Sequence, residues 1–175
     1  MDYTIRAARP EDAAALAAIY APYVLETAVT FEYEPPDAAE FCRRMEAIQG
    51  RYPYLVAEKA GEVLGYAYAA PFHDRAAFAW VAEPSIYLRR DARGQGLGTA
   101  LYARLEELLC GQGIVSLCAL IADAEAEDEY ITHASVRFHA RRGFTELGCY
   151  PRCGYKFGRW YDLVWMGKAL ASADG

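Results

Sequence analysis

The sequence predicts an α/β (α+β) fold: a mixed, twisted central sheet of about seven strands, flanked by helices on both faces. Three observations predict it. Strand-like and helix-like segments follow one another in the order βααβββαβαββ, which gives a mixed sheet with helices on both faces. A β-branched and aromatic stretch, S-I-Y-L at residues 85–88, runs into a basic, glycine-rich turn and then a leucine-rich helix. The chain has 175 residues with 54% hydrophobic composition, enough for a sizeable core, and no linker or internal repeat divides it, so residues 1–175 read as one domain.

Each element has its own local signal. Residues 3–7 form a short strand. Pro10-Glu11-Asp12 opens an alanine-rich helix, with proline in the first turn and acids at its positive end; residues 21–24 continue it as a short helical turn. Residues 27–36 read as an irregular loop. Asp37-x-x-Glu40 has the pattern of a capping box for a helix reaching about Gln49. Residues 54–58 and 63–70 pair as a hairpin around Lys59-Ala60-Gly61. Residues 78–88 are the long strand before the glycine turn. The next helix starts near Leu97 or Gly98, and Leu97, Leu101, Leu105, Leu108 and Leu109 share one face. Residues 116–122 are a buried strand, 135–142 a helix ended by Gly143, and 146–155 and 161–168 the last two strands.

The glycine turn carries the strongest chemical signal. Gly94, Gly96 and Gly98 have no Cβ, so the backbone can take positive φ and approach a ligand closely. The helix that follows begins with unpaired N–H groups and the positive end of its dipole. Arg89, Arg90 and Arg93 add positive charge, and such an arrangement cradles a phosphate or pyrophosphate. A P-loop needs Gly-Lys-Ser/Thr, but Gly98-Thr99-Ala100 stands here without a lysine. A dinucleotide fold wants G-x-G-x-x-G and an acid about twenty residues on; the spacing is G-x-G-x-G and no acid lies around Cys118.

Composition narrows the partners. The formal charge of −6 and pI of about 5.1 argue against nucleic acid or an anionic membrane, which need a basic face. The five cysteines are odd in number and lack a CxxC pair or a His cluster, so no metal is expected. They read as reduced thiols of a cytoplasmic protein. The N-terminus shows no apolar signal segment, and no run reaches the length of a membrane span.

R-x-x-G-x-G-x-G before an apolar helix resembles the coenzyme A pyrophosphate loop of the GNAT N-acetyltransferase superfamily. The resemblance sharpens with A-V-T-F-E at 28–32, R-Y-P-Y-L-V-A-E at 51–58, G-Y-A-Y-A-x-P-F at 65–72, W-V-x-E-x-S-I-Y-L at 80–88, R-F-H-x-x-x-G-F at 137–144 and G-Y-K-F-G-R-W-Y-D at 154–162. Together these are similar to the phosphinothricin and methionine sulfone N-acetyltransferases, over about Ile5 to Lys168. The resemblance implies the GNAT fold, acetyl-CoA as cosubstrate, acetylation of the α-amine of a small amino acid or analogue, and a homodimer. It implies contacts to acetyl-CoA from Ile86, Tyr87 and Leu88, from Arg93 beside the loop, and from Gly94, Gln95, Gly96, Leu97, Gly98 and Thr99. It implies Glu83 as base, Arg75 and His139 near the substrate, and Phe31-Glu32 in the substrate-side loop. Relatives often carry Asn where Thr132 stands, three residues before Ser135, and Thr132 retains one hydrogen-bonding hydroxyl for the coenzyme. The acidic loop at 124–131 is longer than usual, which points to an altered substrate.

The residues support these roles chemically. An amine substrate arrives as an ammonium ion, and a carboxylate such as Glu83 accepts its proton. His139 stands where relatives often carry the Tyr that protonates the departing thiolate; a histidine donates a proton near neutral pH or hydrogen-bonds an anionic substrate, and it serves equally as a structural residue. Arg75 offers a guanidinium fork for a substrate carboxylate. Phe31 and Trp80 suit either the wall of an apolar side-chain pocket or the core. Residues 156–162 complete the pocket or a subunit contact. Acetylation of a protein N-terminus or other small amine is the alternative activity; a non-catalytic acyl-CoA-binding module is the alternative of another class, and it has no need of Glu83 or His139.

Overall fold

Residues 3–170 are described by a computed structural model. The elements are β1 (Thr4–Ala7), α1 (Ala13–Glu26), α2 (Ala38–Gln49), β2 (Tyr54–Lys59), β3 (Glu62–Pro71), β4 (Val81–Leu88), α3 (Leu97–Gly111), β5 (Ser116–Asp123), α4 (Ala134–Arg141), β6 (Thr145–Lys156) and β7 (Arg159–Ala169). Seven strands of the described residues form one sheet in the order β1-β2-β3-β4-β5-β7-β6. Every neighbouring pair is antiparallel except β4 and β5. This is the mixed sheet the segment order predicts.

Alternation along the strands divides the core in two. On β2, Tyr54 and Val56 pack beneath α1 and α2, with Leu16, Tyr20, Val24, Phe41 and Met45. Leu55 and Ala57 point the other way, toward Leu97, Leu101, Leu105 and Leu109 of α3. Phe138 of α4 packs on that second face. A smaller cluster of Ala28, Ile131 and Tyr161 joins three distant segments at one end of the sheet.

Several boundaries differ from the sequence expectation. Residues 78–80 are not strand: Ala76–Phe78 forms a 3-10 turn, and β4 starts at Val81 after the Trp80 carbonyl accepts the Val115 N–H at 3.0 Å. α1 runs unbroken through Pro22 to Glu26, while Pro10–Asp12 is a separate 3-10 turn before it. Only half of the capping box forms: Asp37 accepts the Glu40 N–H at 2.8 Å, but the Glu40 carboxylate turns to Arg43 and Arg44. The last hairpin is tighter than expected, with only Phe157 and Gly158 between β6 and β7. Both have positive φ, +52° and +75°, as two-residue hairpin turns of type I′ require.

Candidate active site

β4 and β5 separate for a reason visible in the backbone. The Arg89 N–H bonds the Leu64 carbonyl, so the amides of residues 83, 85 and 87 face β3 and those of 82, 84, 86 and 88 face β5. Pro84 therefore falls on the β5 side, where it has no N–H to give. Pairing stops at Val81–Ser116 and Ala82–Leu117. Beyond it opens a narrow crevice of about 50 Å³ between residues 84–87 and 119–122. Val29 lines one side, and Tyr102, Ser135 and His139 another. The Ile86 amide faces this gap with no strand beside it. The Leu88 amide is already used: the Tyr23 hydroxyl donates to its carbonyl at 2.6 Å and accepts its N–H at 3.3 Å.

The glycine loop sits where β4 runs out. Gly94 and Gly96 have φ of +75° and +79°, and open space surrounds the position of a Cβ on Gly94. The Ala100 N–H makes the first helical bond, to the Gly96 carbonyl, so the N–H groups of Leu97, Gly98 and Thr99 have no helical partner. Gly98 has a different job: a Cβ there would meet Phe138 at 3.3 Å and Leu88 at 3.5 Å, so it lets α3 lie close against α4 and β4. The Leu97 side chain is in the core, Thr99 is exposed, and the Gln95 amide donates to the Asp91 carbonyl. Of the three grouped arginines, Arg89 pairs with Glu62 and Asp91, and Arg90 with Glu26. Arg93 has no carboxylate partner among the described residues and lies 5.1 Å over the Tyr23 ring.

Glu83 stands near the start of the crevice. It shares a sheet face with Ser85 and Tyr87, whose ring packs against the α1–α2 core. It is half-buried and has no hydrogen-bond or ion-pair partner among the described residues. Burial raises its pKa, which makes it a stronger base once ionised. On the same face, Tyr20, Tyr54, Tyr66, Tyr68, Tyr87 and Arg44 wall a cavity of about 240 Å³ beneath α2.

His139 is placed differently from the expectation of a proton donor or substrate contact. It is buried, and burial lowers its pKa. Nδ1 lies 2.8 Å from the Ser135 carbonyl, which can only accept, so the proton sits on Nδ1. Nε2 then accepts from the Tyr102 hydroxyl at 2.6 Å. The imidazole is a neutral, doubly engaged group that orients Tyr102. Tyr102 is the one hydroxyl amid the buried face of α3, a signal that the spacing of the helix's leucines does not carry. Thr132 is exposed, and its Oγ1 accepts the Ala134 N–H at 3.4 Å, a local cap of α4.

The expected substrate residues are scattered. Phe31 packs its ring on the backbone of Gly154 in β6. The Glu32 carboxylate is held by Arg44 at 2.6 and 3.3 Å, so it is not free for a ligand. Burial pushes Glu32 up, but hydrogen bonds from Arg44 and Tyr20 outweigh it and leave its pKa lowered. Trp80 is 60% exposed and lies over Gly113, in the turn before β4. It walls neither Glu83 nor the core. Arg75 is exposed on the β3–β4 loop, with no carboxylate partner among the described residues. Among those residues no His/Cys/Asp/Glu cluster could hold a metal ion, and no helix is long and apolar enough to cross a membrane.

Comparison with known proteins gives this crevice its context. The family described as Acetyltransferase (GNAT) domain matches residues 5–165. The chain is 38% identical over 172 residues to the phosphinothricin N-acetyltransferase of Alcaligenes faecalis, covering 98% of this chain and 84% of that protein. It is 39% identical over 171 residues to the L-methionine sulfoximine/L-methionine sulfone acetyltransferase of Pseudomonas aeruginosa, covering 95% and 94%. The phosphinothricin acetyltransferase of Sinorhizobium meliloti, solved in complex with acetyl-CoA, superposes with a TM-score of 0.88 at 36% identity, covering 98% of this chain and 90% of that one. A strand pair split at a proline, a glycine loop opening a helix and this degree of similarity along almost the whole length lead to one conclusion: the chain belongs to the GNAT acetyltransferase family.

Proposed function

We propose that this acetyltransferase uses acetyl-CoA to acetylate the α-amine of a small amino acid or amino-acid analogue. The observation that carries the reading is the crevice itself, with an unpartnered carboxylate at one end and a glycine-turned helix start at the other. The residues present fit acetyl-CoA. The unpaired Ile86 amide faces the gap, Gly94 leaves room for close approach, and Arg93 keeps an uncommitted charge beside the free N–H groups of α3. When bound, acetyl-CoA supplies a thioester whose acetyl carbon the amine attacks and whose sulfur leaves.

Glu83 takes the proton from the substrate ammonium, directly or through a water molecule. The Ile86 N–H donates to the carbonyl oxygen as negative charge develops on it. Tyr102 lines the crevice with its hydroxyl proton given to His139 Nε2, so the pair fixes that wall beside the reacting atoms. Arg75, with no carboxylate partner among the described residues, is the proposed carboxylate clamp. The activities of the two relatives support an amino-acid-like acceptor. The reading treats residues 1–175 as one catalytic domain, working as a homodimer with the exposed Tyr150, Tyr155 and Trp160 as a contact patch.

The test is acetyl-CoA consumption with methionine sulfone, phosphinothricin and the common amino acids, each beside its decarboxylated amine. The amino acids should react and the amines less, because the amine forgoes the charge-assisted pair with the Arg75 fork. Equal kcat/KM for each pair would replace this reading with a general amine acetyltransferase.

A further inference from the structure

Lys156 is buried to 2% exposure, on the last residue of β6, where charged side chains are rare. Its ammonium donates to the Thr27 carbonyl at 2.8 Å and the Thr30 carbonyl at 2.7 Å, and it lies 5.1 Å from the Phe157 ring centroid. Those carbonyls bracket Val29, which lines the crevice opposite β5. Thr27 follows the C-terminus of α1, where a cation also meets the negative end of the helix dipole. Further contacts hold the same loop. The Ala28 N–H bonds the Tyr130 carbonyl at 2.9 Å, Thr30 Oγ1 lies 2.6 Å from the Tyr20 hydroxyl, and Phe31 rests on Gly154.

We propose that Lys156 is a positioning residue for the acceptor side of the crevice: its ammonium ties the carbonyls of Thr27 and Thr30, and so fixes Val29 as a wall and sets where Phe31 and Glu32 begin. The role rests on the acetyl-transfer reading above. Two observations point to it rather than to plain core filling. The ammonium gives its hydrogen bonds to main-chain carbonyls 129 and 126 residues away, with no carboxylate in ion-pair contact among the described residues. Burial lowers its pKa while the charge of Glu32 raises it, so the loop it holds also helps keep it charged. A buried cation with two loop carbonyls as partners stabilises one loop position and penalises others, because any shift strands the charge or the carbonyls.

The test uses Lys156→Met, which keeps the apolar stem and removes the ammonium. Acetyl-CoA affinity by calorimetry should stay within about twofold, while acceptor KM rises about tenfold and kcat falls less, the size expected when a hydrogen-bonded contact is lost. Lys156→Arg, which retains charge and donors, should recover part of the KM. Hydrogen exchange of residues 27–33 should quicken in the folded Lys156→Met protein whether or not a substrate is known. If that variant does not fold, Gly154→Ala displaces Phe31 from the other side and should raise acceptor KM alone. Unchanged acceptor KM and unchanged exchange, or equal losses in acetyl-CoA affinity and acceptor KM, would overturn the clamp. A wild type that acetylates no amino acid would defeat the functional reading, while the exchange of residues 27–33 would still decide the role of Lys156.

Discussion

The two ends of the β4–β5 crevice are built by different means. The glycine-loop end comes from one continuous piece of chain, β4, the turn at 89–96 and α3, although its ties reach Tyr23, Glu26 and Glu62. The acceptor end is assembled from the loop after α1, the 124–133 loop and the β6–β7 hairpin, which meet through Ala28, Ile131 and Tyr161. Its ties span the chain: Lys156 to Thr30, Arg159 to Asp128, Tyr33 to the Tyr155 carbonyl. Glu83 stands near the start of β4, at the end of the crevice away from the glycine loop. A contiguous site depends on a few backbone positions and fails when one is changed. An assembled site is held redundantly, so single changes there shift affinity before they abolish function.

The largest effect should therefore come from Glu83, which neither half can replace. Glu83→Gln should leave acetyl-CoA affinity intact and lower kcat about 10²-fold or more. The pH dependence has a fixed sign. Burial raises the Glu83 pKa, and only the ionised form accepts a proton, so kcat/KM should fall as pH drops through a value above the usual carboxylate range. A wild-type kcat in the Gln variant, or a profile flat through that range, would assign the proton to another group.

The second effect belongs to the contiguous end. Gly96 has φ of +79°, which a β-branched residue resists strongly. Gly96→Val should weaken acetyl-CoA binding about 5- to 30-fold, the equivalent of about 1–2 kcal/mol of backbone strain in the loop. Calorimetry on the folded variant decides it, and an unchanged affinity would break the comparison at its firmer side.

That contrast also explains what could be read from sequence. The glycine turn and the leucine face of α3 are local patterns, and the succession of strands and helices along the chain follows from local periodicity. The fates of Glu32, Trp80 and His139 were not local. Glu32 is spent on Arg44 of α2, Trp80 falls in the turn before β4 because that strand begins three residues later than its apolar run suggests, and His139 is committed by a carbonyl of its own helix and a tyrosine 37 residues away. No spacing rule reports which of a side chain's possible partners wins.

Tyr102 tests the seam between the two halves. Tyr102→Phe removes the hydroxyl that faces the crevice and leaves His139 Nε2 without its donor. Its kcat should fall by less than about tenfold with acceptor KM little changed, as one hydrogen bond in the crevice wall is lost. His139→Asn, which leaves the hydroxyl in place but loosens it, should cost less. If the histidine variant is the more damaged in pre-steady-state acetyl transfer, the imidazole acts on the substrate side after all.

The smallest effect compares one turn at each end of the sheet. Ala60 in the β2–β3 turn and Phe157 in the β6–β7 turn have nearly the same backbone, φ of +50° and +52°, each followed by a glycine. Both pay for a left-handed conformation that costs an L-residue about 1–2 kcal/mol. Ala60 is exposed and touches nothing that the fold needs, so Ala60→Gly should relieve that strain against the extra freedom of glycine in the unfolded chain. A net gain of about 0.5 kcal/mol, or about 1–2 °C in Tm, is expected. Phe157 stacks on Tyr130 with centroids 4.2 Å apart and lies beside the Lys156 ammonium. Phe157→Gly loses those contacts along with the strain, and should be net destabilising by about 1–2 kcal/mol, or about 3–6 °C. Opposite signs in parallel thermal melts would show that the same turn is a local device at one end and a long-range contact at the other. If both variants gain stability, the hairpin is not tied to the 124–133 loop as its stacked ring implies, and the redundancy ascribed to the acceptor end fails with it.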